Sequence, residues 1–239
     1  METIDLNSPP KLYELTELAG DPKIVRALRD CVDLQRSAAE TALRADYRPR
    51  ADALNEVSEE RLQQLLRAGA EVEGIRKERE ISNVIIFNDE RYAGAVISEK
   101  LAQRRGALNR LVIDRVSRLF HPRQRLSVTS SGFFLYPPQC CMSWHTNAQN
   151  PGWRMYVTYA DDPGKSFIRY QDPATGAVHT SWDRGVDVRL FRVETQRPLW
   201  HAIYSNTHRF SIGYRIRPDP SLLDRLLRAA PGRRSRSDD

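Results

Sequence analysis

Two short stretches of the 239-residue chain carry side chains whose types and spacing could do chemistry. Trp144-His145-Thr146-Asn147 holds an imidazole and, two residues on, an amide. Trp200-His201 holds a second imidazole, and Arg209-Phe210-Ser211 follows soon after. Two imidazoles and a third ligand can hold iron(II) on one face, leaving positions open for oxygen and a substrate. A fixed arginine nearby can grip a carboxylate through two parallel hydrogen bonds. On a strand, residues 145 and 147 would project to one side, as would Arg209 and Ser211, because side chains alternate with a period of two. A carboxylate would serve a hard cation best at position 147, but the chain has asparagine.

The elements that must position these groups differ between the two halves of the chain. Asp21-Pro22 is a helix start, with aspartate as cap and proline at the first helical position. Ile24, Leu28, Cys31, Gln35, Ala38 and Ala42 then keep a helical rhythm until Tyr47-Arg48-Pro49. A second helix is predicted from Ser58 to about Glu80 on Leu62, Leu65, Leu66 and Val72, and a buried strand at Val84–Phe87. A long helix follows, roughly Ala93 to Phe120, its stripe of Val96, Leu101, Leu108, Leu111, Val112 and Val116 made to pack on a sheet. From Arg125 to Arg217 short β-branched and aromatic runs alternate with turn signals such as Asp161-Asp162-Pro163-Gly164. Eight or nine strands at this spacing imply an antiparallel sandwich or barrel, with the preceding helices buttressing one face of the sheet. The expected organisation is a mainly helical region 1–120, a strand domain 121–218, and a short helix with a basic, disordered tail over 219–239.

Composition narrows the function classes. An apolar fraction of 40% suffices for a real core, and no apolar run approaches the ~20 residues needed to span a bilayer. The N-terminus lacks the basic and apolar regions of a signal peptide, so a cytoplasmic protein is expected. Cys31, Cys140 and Cys141 form no disulfide or CxxC framework and read as reduced core thiols. A net charge of +6 raises a nucleic-acid partner, but the arginines are interleaved with acids, as on a solvated helix face, and no nucleic-acid partner is expected. The N-terminal helices offer a surface through which two copies could pair.

His145, His201, Arg209 and Ser211, in this order and spacing, resemble the iron(II)/2-oxoglutarate-dependent oxygenases of prolyl-hydroxylase type. That family carries His-x-Asp/Glu on an early strand, a distant histidine on a late strand, and Arg-x-Ser or a lysine shortly afterwards. The resemblance covers roughly Arg125 to Ile216. It implies an α+β protein with a double-stranded β-helix (jelly-roll or cupin-like) core, Fe(II) and 2-oxoglutarate as cofactors, and molecular oxygen as co-reactant. The implied activity is hydroxylation of an amino acid, peptide or other small polar substrate. His145 and His201 would then be metal ligands with Asn147 as third. Arg209 would bind the distal carboxylate of 2-oxoglutarate, with Ser211 assisting and Tyr136 in contact.

Three readings of Asn147 stay open: a weak ligand, a residue that hydrogen-bonds a metal-bound water, or the mark of an inactive domain used for binding or assembly. Asp161, Asp162 and Asp183 are the carboxylates that could substitute for it. The Asn150-Pro151-Gly152 turn puts Trp153 and Arg154 at the expected cavity rim, as substrate-binding candidates, although Arg154 could instead pair with Asp162. Arg215 is in phase with Arg209, but its separation along the strand is expected to carry it out of the cavity.

Overall fold

A computed structural model describes residues 3–69, 81–82, 84–86, 99–122 and 125–219. In chain order its elements begin with β1 (Ile4–Asp5), β2 (Leu12–Glu14), α1 (Thr16–Ala19), α2 (Pro22–Asp46) and α3 (Glu59–Arg67). Next come β3 (Ile81–Ser82), β4 (Ile85–Ile86), α4 (Glu99–Val116) and β5 (Phe120–His121). The remaining strands are β6 (Leu126–Tyr136), β7 (Cys140–His145), β8 (Gly152–Ala160), β9 (Ser166–Gln171), β10 (Val178–Trp182), β11 (Val186–Val193), β12 (His201–Ser205) and β13 (Arg209–Pro218).

Strands β6 to β13 distribute themselves between two facing sheets. The larger has the order β2-β11-β8-β13-β6-β4 and the smaller β10-β9-β12-β7-β3. Successive strands from β6 mostly cross from one sheet to the other. As a result, each sheet pairs strands that are distant in sequence, and β13 lies between β8 and β6 while β12 lies between β9 and β7. This is a double-sheet jelly roll, the closed antiparallel solution to exposed strand edges.

Alternation along the strands of the larger sheet divides its residues between two environments. One set, including Phe133, Leu135, Met155, Val157, Leu190, Phe210 and Ile212, packs against Ile24, Leu28, Leu108 and Val112 of α2 and α4. Leu28 and Leu108 are fully buried, each contributing roughly 1.5–3 kcal/mol by area. The alternate set faces the smaller sheet and supplies the polar residues of the interior. Helix α2 starts as its sequence requires, with the Asp21 side chain accepting from the Lys23 amide at 2.9 Å.

Helices cover more than the one face expected. A short 3-10 turn at Asn55–Val57 and α3 seal the outside of the smaller sheet, where Val57 and Leu62 pack with Trp144, Phe167 and Trp200. The Trp144 indole donates to the Ser58 carbonyl at 2.8 Å, tying this cover to β7. The N-terminal 120 residues also contribute strands: β2 extends the larger sheet beside β11, and β1 pairs in parallel with β5. Among the described residues no helix is long and apolar enough to cross a membrane. The second helix ends at Arg67, with Gly69 left-handed at φ 66°, short of the end expected near Glu80. Residues 70–80, the start of the long helix before Glu99, and the helix and tail expected beyond Asp219 lie outside the described residues.

Candidate active site

The two sheets enclose a cavity between them. His145 ends β7 and His201 begins β12, and these residues are direct partners in the antiparallel register. Both are buried, with ring centroids 4.0 Å apart. In each, Nδ1 faces the carbonyl two residues earlier: Ser143 at 2.8 Å for His145, Leu199 at 3.0 Å for His201. A carbonyl only accepts, so Nδ1 carries the proton and Nε2 is left with the lone pair, the tautomer a metal requires. Such a carbonyl also locks the ring's orientation, as outer partners of ligating histidines do. The Phe191 ring, 4.9 Å from that of His201, walls the pair on one side.

Asn147 reaches the pair by a route that alternation did not anticipate. Strand β7 ends at His145, and Asn147 lies beyond it with φ of 60°. Asparagine tolerates this left-handed backbone better than most residues, through its short polar side chain. The turn brings its amide Nδ2 to 3.3 Å from Nε2 of His201. The donor set is therefore two imidazoles and an amide, which fits a divalent metal through two neutral nitrogens and, after rotation of the amide, an oxygen. Among the described residues no three His, Cys, Asp or Glu side chains form a metal-holding group.

The candidate carboxylates have other partners. Asp161 pairs with Arg36 at 2.6 Å, and Asp162 accepts from the Thr207 hydroxyl. Asp183 is fully buried and binds the Nε of Arg209 at 2.8 Å, Nη1 of Arg189 and the hydroxyl of Ser166. Burial alone would raise the Asp183 carboxyl. The Arg209 and Arg189 guanidinium groups, with Ser166, outweigh it and hold it at about 2. Cys140 and Cys141 are buried thiols in no disulfide, and burial pushes Cys140 well above the ordinary thiol range, so it stays neutral.

Arg209, Ser211 and Tyr136 all line the cavity. Arg209 is buried, its guanidinium 5.1 Å from the centre of the Tyr136 ring. One edge is oriented by Asp183, an arrangement the sequence reading did not foresee. Its local trace is Arg189, a buried charge between Val188 and Leu190 on β11.

Two further placements correct the sequence expectations. Trp153 is not at the cavity rim. It faces the opposite side of β8 from Arg154, buried in the core against Phe120, with its indole donating to the Leu6 carbonyl at 3.0 Å. Alternation separates neighbours 153 and 154, so only Arg154 lines the cavity. Arg215, by contrast, does line it, because β13 runs along the cavity's length. Arg154 does not pair with Asp162; its Nη2 donates to the Asn150 carbonyl at 2.6 Å.

The strand order is that of a double-sheet jelly roll, with one histidine ending an early strand and the other opening a late strand. No protein-family model matches the sequence, and no curated protein does. Solved structures to which the chain is similar include a Pseudomonas putida prolyl-4-hydroxylase at 14% identity, covering 86% of this chain and 97% of that one, with a TM-score of 0.41. A prolyl hydroxylase from Trichoplax adhaerens, in complex with a hypoxia inducible factor peptide fragment, is 14% identical over 88% of this chain and 98% of that one, with a TM-score of 0.39. The non-heme alpha ketoglutarate dependent epimerase SnoN from nogalamycin biosynthesis is 15% identical over 80% and 87% of the two chains, with a TM-score of 0.32.

Proposed function

We propose that the protein is an iron(II)- and 2-oxoglutarate-dependent oxygenase that hydroxylates an amino acid, a peptide or another small polar molecule. The observation that carries this reading is the histidine pair: two buried imidazoles, each locked by a backbone carbonyl, facing one another across adjacent strands. His145 and His201 would hold iron through Nε2, with the Asn147 amide oxygen as third donor. Bound iron(II) with 2-oxoglutarate and oxygen supplies oxidative decarboxylation to succinate and carbon dioxide, coupled to hydroxylation of a C–H bond.

The chain's own residues do the positioning. Arg209, held along one edge by Asp183, presents a fixed charge for the distal carboxylate of 2-oxoglutarate, and Ser211 lies two residues further on the same strand face. The Tyr136 ring lies beside this guanidinium, and its hydroxyl is 3.9 Å from the sulfur of Met142, which narrows the same end of the cavity. The sheets on either side exclude water from the reacting bond.

A second reading has its own support. An amide brings no negative charge to a hard cation, and Arg209 already has a carboxylate partner, so a domain that binds small molecules without turnover is the alternative. Anaerobic titration with iron(II) and 2-oxoglutarate separates the two. An oxygenase develops a weak visible metal-to-ligand absorption band that His201→Ala abolishes, and releases succinate when oxygen is admitted. Absence of both the band and succinate favours the binding domain.

A further inference from the structure

The cavity is lined by four arginines, Arg154, Arg189, Arg209 and Arg215, and by no aspartate or glutamate among the described residues. Arg189 and Arg209 share Asp183. Arg154 and Arg215 form no ion pair among the described residues, although they are direct neighbours across the β8–β13 ladder. Arg154 is only 4% exposed, and its Nη1 has no hydrogen-bond partner; the buried Nε of Arg215 has none either.

Such an arrangement is costly unless something offsets it. Like charges directly opposite one another on a sheet are destabilising. A buried cation without a counter-charge is more so. Burial lowers the Arg154 guanidinium to about 10, and the charges of Arg215 and Arg217 push the same way, yet it remains a cation near neutrality. The Nη2 bond to Asn150 pins the loop after β7 and accounts for one edge of Arg154 only. The exposed Asn150 lies at this end, so the two cations sit towards the mouth, where a ligand enters.

We propose that Arg154 and Arg215 form an anion clamp that holds a carboxylate or phosphate group of the substrate, so that the protein acts on anionic molecules. In combination with the oxygenase reading, on which the word substrate rests, the cavity then has two anion sites. Arg209 serves the cosubstrate, and the Arg154–Arg215 pair serves the molecule to be oxidised. From Arg209 to Arg215 the strand spans roughly 20 Å at ~3.3 Å per residue, so the two anion sites are separate. Gly213 lies between Ser211 and Arg215, opposite Gly132 on β6, and a Cβ there would come within 3.0 Å of the Tyr156 ring. The missing Cβ makes room for the Tyr156 ring, which packs over the strand between the two sites.

The test uses the full chain without metal or 2-oxoglutarate. Acetate and inorganic phosphate are titrated separately by calorimetry, and the arginine Nε–H signals are followed by NMR. At least one anion is expected to bind and to shift the Arg215 signal, with affinity falling tenfold or more in Arg215→Gln, partly recovered in Arg215→Lys and unchanged in Lys165→Gln, at an exposed lysine away from the cavity. Tighter binding of acetate assigns a carboxylate, and tighter binding of phosphate a phosphate ester. The proposal is overturned if neither anion binds, or if Arg215→Gln binds as the parent does. Because the readout needs no iron, anion binding that follows Arg215 in a protein without the iron band would sink the oxygenase reading and leave the clamp standing.

Discussion

The inner and outer ends of the cavity treat the same side chain in opposite ways. At the inner end Arg209 and Arg189 are buried and share Asp183, whose other contact is the Ser166 hydroxyl. At the outer end Arg154 and Arg215 face each other with neither acid nor acceptor for part of their donors. Buried charges are tolerated when paired and hydrogen-bonded, so the inner arginines belong to the folded framework as well as to the site. The outer pair adds nothing comparable to the framework and remains available to a ligand. One end is compensated by the protein; the other is left to what binds.

Removing Asp183 gives the largest effect. Asp183→Ala leaves two buried guanidinium groups without their carboxylate and should cost about 3–5 kcal/mol of stability in urea denaturation. A loss below about 1 kcal/mol would mean that the inner end is no better compensated than the outer.

Acid should reveal the same carboxylate in the unaltered protein. Asp183 titrates at about 2 when folded, below its ordinary 3.8. Its contribution is therefore present above pH 4 and disappears as pH falls from about 4 to about 2. The expected loss, on the order of 2 kcal/mol, should vanish in Asp183→Asn. Equal acid sensitivity in the two proteins would assign the effect to other carboxylates.

Asn147→Asp sharpens the contrast from the metal side. Adding a carboxylate to the donor set should raise iron(II) affinity by about tenfold or more, equivalent to about 1.4 kcal/mol, in anaerobic titration. The new charge lines the same cavity as Arg154 and should also weaken acetate or phosphate binding. Unchanged iron affinity would put residue 147 outside the metal's coordination.

The smallest effect is expected at the outer end. Arg215→Gln relieves a like-charge pair, so thermal or urea denaturation should show no loss and a gain of up to about 1 kcal/mol. A clear loss would give Arg215 a structural role and weaken the contrast between the two ends.

Much of the fold was legible because its signals are local. The Asp21-Pro22 cap, the apolar rhythm of α2 and the turns between strands each depend on neighbours within a few residues. Strand β6 runs unbroken from Leu126 to Tyr136, and its register shift opposite Gly213 and Tyr214 leaves no such local mark. In the site, His145, His201, Arg209 and Ser211 were legible from type, order and spacing. Asn147 was legible as a residue but not in its geometry, since a left-handed turn, not strand alternation, brings it to His201. Trp153 was misplaced because a rim position was inferred from loop proximity, whereas the pleat sends it to the opposite face from Arg154.

By itself the sequence determined which residues could ligate, clamp and cap, and which segments would be helices or strands, since those properties depend on side-chain chemistry and near neighbours. Only the tertiary structure decided which charges meet. Asp183 reaches Arg209 from 26 residues away, and Arg154 meets Arg215 across a strand ladder. Whether a buried arginine is compensated or waiting for an anion depends on partners that the fold, not the local sequence, brings within a few ångströms.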